Sequence, residues 1–281
     1  MRIKLIAFDL DGTLLRNDKT VSLKNLNMLA EAAQRGIYMV PATGRLYEGI
    51  PDEIRSLPFL RYVIAINGAE IYDAKEKRIL HRGELSKEEG EKVFAYMEGI
   101  PAACGCYQDG KGWMDGEDYR GMEELAIIPK LLSTMKQIYQ PMEHMKERIF
   151  SESPALQKIQ YYFSDIKKRD RVLPDLAAAF PDLEISTSLP NNIEINSSSA
   201  NKGKGLLFLC EHLQIDPEEC MAFGDGTNDI SLILQAGAGV AMGNAAPEVL
   251  AAAKYHTGTN EQDGVAEMIE KCLKDEEKRM R

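Results

Sequence analysis

The sequence predicts an α/β protein in which a Rossmann-like parallel sheet is interrupted by an inserted α+β domain. Three observations lead to this fold class. Strand and helix patterns alternate over the first eighty residues, the alternation returns after residue 200, and the segment between them lacks that order. Strands that alternate with helices are joined by right-handed crossovers and form parallel sheets. We therefore assign residues 1–83 and 190–281 to the core domain and residues 84–189 to the insertion.

The elements before the insertion follow from short apolar runs and their flanking signals. The run at Leu5–Phe8 predicts a buried strand, and "IYMV" and "YVIAI" predict two more. Ser22 caps a predicted helix whose apolar residues share one face, and Gly36 stands where that helix can stop. Asn67 and Gly68 form a turn signal after the third strand. These three strands are expected to belong to the parallel sheet.

The insertion begins with a capping box, in which Ser86 and Glu89 flank the start of a predicted helix. The stretch "ACGCYQDGKGWMD" predicts a hairpin with a glycine-containing turn, and a Met-rich helical span follows it. Strands are expected at "LQKIQYYF", "LEISTS" and "NIEIN", with a helix over residues 173–180. This mixture predicts an α+β unit.

The elements after residue 201 resume the alternation. Helices are predicted at "GKGLLFLCEHL", "DISLILQAG" and "PEVLAAAKY", with strands at "CMAFGD" and "GVAMG". The segment "VAEMIEKCLKDEEKRM" predicts a final amphipathic helix.

Composition and charge argue against several classes of partner. The net charge of −10 and the pI near 5.1 do not suit nucleic acid, because phosphate backbones are bound by basic faces. No uncharged apolar stretch is long enough to span a bilayer. The five cysteines form no CxxC pair and no zinc spacing, which is typical of reduced thiols. We expect a cytoplasmic protein that binds neither nucleic acid nor membrane.

Polar clusters follow three of the predicted core strands. They occupy residues 9–13, 43–45 and 225–229, and Lys202 begins the helix after the insertion. In open α/β sheets ligands bind outside the carboxyl ends of the strands. We therefore expect these clusters to meet at one edge of the sheet.

The residue types in these clusters suit phosphate chemistry. Four carboxylates close together require a cation, and all-oxygen ligands favour magnesium. Thr43 supplies a hydroxyl donor, and the amide of Gly44 can approach an anion closely because glycine lacks Cβ. A carboxylate at the centre could attack phosphorus once a cation offsets the charge repulsion. The carboxylates are those of Asp9, Asp11, Asp225 and Asp229.

Four motifs carry a resemblance to a known family. "DLDGT", "TGR", "NKG" and "GDGTND", in that order, resemble the four motifs of the haloacid dehalogenase (HAD) superfamily. Their spacing resembles that of its Cof-type phosphatases, which carry a type-two, subtype-B cap domain between motifs two and three. "NGAEIYD" and "GVAMGNA" are similar to that subfamily as well.

The resemblance implies a phosphatase with a phosphoaspartyl intermediate. Asp9 would be the nucleophile, and Asp11 would protonate the leaving oxygen and then deprotonate the attacking water. Magnesium would be held by the side chains of Asp9 and Asp225 and by the backbone carbonyl of Asp11, with Asp229 in or near the ligand shell. The residues expected to hold phosphate oxygens are Thr43, Gly44, Lys202 and Asn228, with Lys202 also part of the catalytic set and Arg45 a candidate substrate contact.

The same resemblance implies a small phosphorylated substrate. Sugar phosphates are the first expectation and cofactor phosphates the second, acted on by a monomer or a homodimer. Two alternatives remain open: a phosphomutase of the same superfamily, and a phosphometabolite-sensing protein that has lost turnover.

Overall fold

A computed structural model of the chain describes residues 2–125, 129–151 and 153–280. Part of the predicted Met-rich helical span lies outside the described residues. The strands, numbered along the chain, are β1 (Leu5–Phe8), β2 (Tyr38–Pro41), β3 (Tyr62–Ala65), β4 (Glu70–Asp73), β5 (Arg78–Arg82), β6 (Leu85–Ser86), β7 (Ala103–Gln108), β8 (Lys111–Asp115), β9 (Tyr139–Met142), β10 (Ala155–Leu156), β11 (Lys158–Tyr162), β12 (Leu183–Ser186), β13 (Asn192–Ser197), β14 (Cys220–Gly224), β15 (Ala238–Ala241) and β16 (Tyr255–His256).

The helices alternate with the strands as the sequence predicts in the first and last thirds of the chain. They are α1 (Leu23–Gln34), α2 (Asp52–Arg55), α3 (Lys87–Tyr96), α4 (Gly116–Arg120), α5 (Pro129–Ile138), α6 (Met145–Arg148), α7 (Ile166–Ala179), α8 (Lys202–Leu213), α9 (Ile230–Gln235), α10 (Pro247–Ala252) and α11 (Gly264–Met280). None of the helices described is both long and apolar enough to cross a membrane.

The chain divides into two compact units. The first comprises Met1–Arg45, Ile50–His81 and Asn201–Arg281, and the second comprises Leu46–Gly49 and Arg82–Ala200. The second boundary lies eleven residues after the predicted one at 189/190, because β13 pairs with β11 and β12 in the sheet of the second unit.

The first unit is built on a parallel sheet with strand order β16-β15-β14-β1-β2. The central strand β1 pairs in parallel with both β14 and β2. Side chains of β1, β2 and β14 pack with α8 in one buried apolar cluster that includes Leu5, Val40, Leu206 and Ala222. The fold class predicted from the sequence is confirmed for this unit.

The third predicted strand joins this sheet only loosely. β3 lies beside β2 through a single parallel bridge between Ala42 and Ile64, and its main ladder is antiparallel, with β4. The prediction of a strand here is confirmed. The expectation that it belongs to the parallel sheet is wrong, because β3 forms a separate sheet of order β3-β4-β5. The turn at residues 66–69 is short enough to fold β4 directly back on β3.

The second unit contains a sheet of order β12-β13-β11-β7-β8-β9. β7 and β8 form the predicted hairpin around Asp109 and Gly110, which both have positive φ. One face of the sheet packs on α3 and α7 through residues such as Val93, Ile159 and Leu176. The predicted capping box at the start of α3 is present.

The ends of the inserted segment 82–200 are neighbours. A Cβ atom built on Gly83 would lie 2.9 Å from the Cβ of Ala200. The segment therefore begins and finishes at one place on the second unit.

Candidate active site

The carboxyl ends of β1, β2 and β14 form the edge that carries the candidate site. The N–H of Asp9 donates to the carbonyl of Phe223 (3.1 Å), and the N–H of Ala42 donates to the carbonyl of Phe8 (2.8 Å). These bonds extend the parallel ladders just past the last strand residues. The structure thereby brings the polar clusters at 9–13, 43–45 and 225–229 to the same edge.

A buried lysine joins two of the aspartates. Lys202 begins α8 and is fully buried. Its Nζ donates to Oδ1 of Asp9 at 2.6 Å and to Oδ1 of Asp229 at 2.5 Å. Asn201 caps the helix by accepting from the N–H of Lys204, which fixes the point from which the lysine side chain extends. One cation therefore neutralises part of the charge of two buried carboxylates.

Asp229 also holds the loop that carries Asp225. Its Oδ2 accepts from the N–H groups of Asp225 and Gly226, both at 2.9 Å. Both oxygens of Asp229 are thus engaged, one by the lysine and one by the backbone. A Cβ on Gly224 would lie 2.3 Å from the Cβ of Asp229, so this close approach requires glycine at the end of β14.

Asp225 faces the loop after β1. Its Oδ1 accepts from the hydroxyl of Thr13 at 2.7 Å. Gly12 has φ +85°, and a Cβ there would lie 2.3 Å from Oδ2 of Asp225. Glycine is therefore required at this position of "DLDGT", because the backbone is left-handed and because the carboxylate of Asp225 leaves no room for a Cβ atom.

Three carboxylates converge in this way. One oxygen each of Asp9, Asp225 and Asp229 lies within 4.8 Å of the others. Burial raises the pKa of Asp9 well above its usual range against the opposing charge of Lys202. Burial and the charge of Asp229 raise the pKa of Asp225 to about 7. The lysine alone therefore does not offset burial and the repulsion among these carboxylates, and a bound cation would favour their ionised forms.

Lys202 itself stays charged. Burial would lower the pKa of its ammonium, but the charges of Asp229 and Asp9 outweigh burial and raise the pKa above its usual value.

Asp11 is held differently from the other aspartates. Arg45 donates from Nε to Oδ2 and from Nη2 to Oδ1, both at 2.7 Å, and Lys19 donates to Oδ1 at 2.7 Å. Burial alone would raise the pKa of Asp11, but the hydrogen bonds and charges of Arg45 and Lys19 outweigh it and lower the pKa. Its carboxylate does not belong to the three-carboxylate cluster, and Arg45 is engaged with an aspartate.

The second cluster lies at the end of β2, beside a strained turn. Thr43 is buried, and its hydroxyl accepts from the N–H of Arg45 at 3.2 Å; Gly44 lies between these two residues. The N–H of Asn67 donates to the carbonyl of Thr43 at 2.9 Å. Ile66 and Asn67 have φ of 52° and 57°, a region that β-branched residues rarely adopt. The Oδ1 of Asn67 in turn accepts from Nδ2 of Asn228 at 3.1 Å.

Some contacts of the site were missed by sequence reasoning. Lys19 lies in the loop after β1, and no local pattern marks it as a partner of Asp11. Asn244 donates from Nδ2 to the carbonyl of Gly12 at 2.8 Å; it lies within "GVAMGNA", a stretch noted only for its resemblance. Thr13 belongs to the first polar cluster, but the sequence predicted no role for it.

The fold and the site define an α/β enzyme with a buried lysine–carboxylate cluster at the ends of parallel strands. The chain belongs to the haloacid dehalogenase-like hydrolases, whose family pattern matches residues 6–269. The resemblance carried by the four sequence motifs is therefore confirmed.

The similarity to known proteins covers nearly the whole chain. The phosphatase YwpJ of Bacillus subtilis (strain 168) is 32% identical, over 96% of this chain and 100% of its own length. The 5-amino-6-(5-phospho-D-ribitylamino)uracil phosphatase YcsE of the same organism is 32% identical, over 95% of this chain and 94% of its own. A solved haloacid dehalogenase-like hydrolase from B. subtilis superposes with a TM-score of 0.81 at 30% identity, covering 95% of this chain and 99% of its own.

Proposed function

We propose that this enzyme is a magnesium-dependent phosphatase that hydrolyses small phosphorylated metabolites through a phosphoaspartyl intermediate. The observation that carries the proposal is the contact of Lys202 with Asp9 and Asp229 in a buried cluster that also contains Asp225. Such a cluster combines a positioned nucleophile with fixed positive charge for a phosphoryl group.

The donor set fits magnesium. The converging ligand atoms are all carboxylate oxygens, which a hard cation prefers. Asp9 and Asp225 would supply side-chain oxygens and Asp11 its backbone carbonyl. Asp229, with both oxygens engaged, would chiefly position Lys202 and the loop of Asp225. When bound, the magnesium ion would offset the charge repulsion between a carboxylate and a phosphate dianion.

Asp9 is the proposed nucleophile. Lys202 Nζ holds its Oδ1 at 2.6 Å and so restricts the position of the carboxylate. In the first step a bond forms between an Asp9 oxygen and phosphorus, and the bond from phosphorus to the leaving oxygen breaks. In the second step water attacks phosphorus, the Asp9–phosphorus bond breaks, and inorganic phosphate is released.

Asp11 is the proposed proton carrier. It would give a proton to the leaving oxygen and then take one from the attacking water. To carry a proton, its carboxyl has to leave Arg45 and Lys19, because two cations favour the ionised form. A substrate anion that draws Arg45 away would release Asp11 for the reaction.

Phosphate oxygens would be held by donors at the ends of β2 and β14. The hydroxyl of Thr43, the N–H of Gly44, the ammonium of Lys202 and the amide of Asn228 are the proposed donors. Asn67 would orient Asn228 through their 3.1 Å hydrogen bond. Arg45 would contact the substrate once it is free of Asp11.

The substrate class follows from the relatives. The name of YcsE describes a phosphatase of a compound in which a phosphorylated ribityl chain is joined to a uracil ring. We place sugar phosphates first and cofactor phosphates second for this enzyme as well.

Phosphate release from a panel of sugar phosphates, nucleotides and cofactor phosphates tests the proposal. We expect release from a few compounds with magnesium and none with a chelator. Asp9→Asn keeps the shape of the side chain and should lower the rate at least about a thousandfold. Asp52→Asn, at an exposed position on α2, is the matched control and should leave the rate unchanged.

Three outcomes would contradict the proposal. Substantial turnover by Asp9→Asn would exclude Asp9 as the nucleophile. Transfer of the phosphoryl group to a new position on the product would indicate a mutase. Binding of a phosphorylated compound by folded protein without any turnover would indicate a sensor.

A further inference from the structure

Two thiols of the first unit lie in contact away from the acidic cluster. Cys210 belongs to α8 and Cys220 opens β14. Their Sγ atoms are 3.4 Å apart, and both side chains are buried. A disulfide requires sulfur atoms about 2.05 Å apart, so the two sulfurs need to approach by little more than an ångström.

The backbone around this pair is already fixed in place. The N–H of Ile215 donates to the carbonyl of Cys210 at 2.9 Å. Asp216 caps the short turn that leads into β14, and the Cys220 thiol lies 3.7 Å from the Asp216 carbonyl oxygen. Because the intervening chain is short and anchored at both ends, bond formation would need side-chain rotation rather than a large backbone change.

The other cysteines are less suited to such a bond. Cys104 and Cys106 lie two residues apart on the same face of β7, so their Cα atoms are about 6.6 Å apart, near the upper limit of about 6.8 Å for disulfides. Cys272 lies on α11, in a different part of the first unit. The contact between Cys210 and Cys220, at 3.4 Å, is therefore the one best placed to become a disulfide among the described residues.

We infer that Cys210 and Cys220 form a reversible oxidation site that takes a peroxide as its oxidant. The Cys210 thiolate attacks one oxygen of hydrogen peroxide, the O–O bond breaks, and the leaving hydroxide takes up the proton that Cys210 gave up, so that Cys210 becomes a sulfenic acid and water is released. The Cys220 thiol then attacks that sulfur, the S–OH bond breaks, and a second water leaves as the disulfide forms. Two thiols are oxidised, one peroxide is reduced to two waters, and a dithiol reductant reverses the change.

The order of attack follows from the environment of the two thiols. The hydrogen bond with Cys220 lowers the pKa of Cys210 although burial opposes this. The same contact and burial raise the pKa of Cys220. Cys210 is therefore the thiol that carries negative charge more readily and reacts first.

The bond would tie together two elements that carry site residues at their other ends. α8 begins with Lys202, and β14 leads into Asp225. Closing the short loop from 210 to 220 restricts the unfolded chain. We expect the melting temperature of the oxidised protein to rise by roughly 5–10 °C. This inference does not depend on the proposed phosphatase activity.

Peptide mapping after treatment with hydrogen peroxide gives a direct test, because trypsin places the five cysteines in three separate peptides. These span residues 205–254, 93–111 and 272–274. We expect peptide 205–254 to become lighter by two hydrogen atoms and to recover its mass with dithiothreitol. Further cleavage after Glu211 and Glu218 should leave two pieces joined until reduction.

Matched variants and the reduced protein complete the test. Cys272→Ser should keep both the mass change and the rise in melting temperature, and Cys220→Ala should lose both. The wild-type protein reduced with dithiothreitol provides the reference if a variant folds poorly. A peptide 205–254 that stays unmodified, or that only gains oxygen atoms at Cys210, would overturn the inference. An unchanged melting temperature in protein shown to contain the disulfide would overturn the stabilising effect.

Discussion

Replacement of Lys202 by methionine should strongly destabilise the metal-free protein. The substitution keeps a long apolar chain and removes the only charge that contacts Asp9 and Asp229 together in the described residues. Three carboxylates would then share a buried site without their lysine. They would have to take up protons, admit water or move apart, and each of these changes costs free energy.

The size of this effect can be worked out from the geometry. Two unit charges 2.5 Å apart, the distance from Lys202 Nζ to Oδ1 of Asp229, interact by roughly 7 kcal/mol at an effective dielectric constant of about 20. Much of that energy offsets desolvation, and removal of one partner of a buried ion pair costs roughly 3–5 kcal/mol. Because Lys202 serves two carboxylates, we expect a loss near the upper end, about 5 kcal/mol of the free energy of unfolding.

Urea unfolding with a chelator, at a pH above 7, measures this loss. Magnesium should reduce the difference between variant and wild type, because its charge would replace that of the missing ammonium and stabilise the folded variant more than the folded wild type. Lys204→Met, an exposed position on the same helix, is the matched control and should change the free energy of unfolding by less than about 0.5 kcal/mol. A loss below about 1 kcal/mol for Lys202→Met would refute the description of Lys202 as a buried counter-ion.

Two further predictions concern other parts of the first unit. Gly12→Ala should lower the free energy of unfolding by roughly 1–3 kcal/mol and abolish phosphate release, because its Cβ would collide with Asp225. Gly36→Ala is the control: Gly36 has a similar φ but nothing within 4 Å, so this variant should lose about 1–2 kcal/mol and keep its activity. Equal activities of the two variants would contradict the reasoning. Asp73 is buried and accepts from Arg61 and from two backbone N–H groups; burial would raise the pKa of its carboxyl, but these bonds outweigh burial and lower it. Its ionised form therefore stabilises the fold above the unfolded pKa of about 3.9, and this stabilisation is lost as the pH falls through the lower folded value. Asp73→Asn should lower the free energy of unfolding by about 1–2 kcal/mol at pH 7, measured by urea unfolding, and the stabilities of variant and wild type should converge in acid. A difference in stability that stays constant down to pH 2 would contradict the assignment.

The positions of several candidate site residues could be predicted because each directly adjoins a regular element. Asp9 follows β1, Asp225 follows β14 and Lys202 begins α8. Parallel pairing of β1 with β14 then brings the two aspartates to one edge of the sheet, independently of the conformation of the loops. Local sequence pattern and sheet geometry were sufficient for this part of the site.

Other features depend on tertiary position, which local pattern does not encode. Lys19 reaches Asp11 from a loop, and Ile66 adopts a left-handed backbone that its β-branched side chain disfavours. The end of the insertion was also placed too early, because the predicted boundary at 189/190 cut off the strand at "NIEIN", which the sequence pattern groups with the insertion and which pairs with β11 and β12 in the second unit.

The close approach of Gly83 and Ala200 bears on how this architecture can be modified. A module whose two ends coincide can be exchanged, lengthened or removed at a single junction, with a short bridging peptide closing the gap. The residues from 82 to 200 can thus be changed in sequence and length without interrupting the segments that carry Asp9, Asp225 and Lys202, which lie outside that stretch.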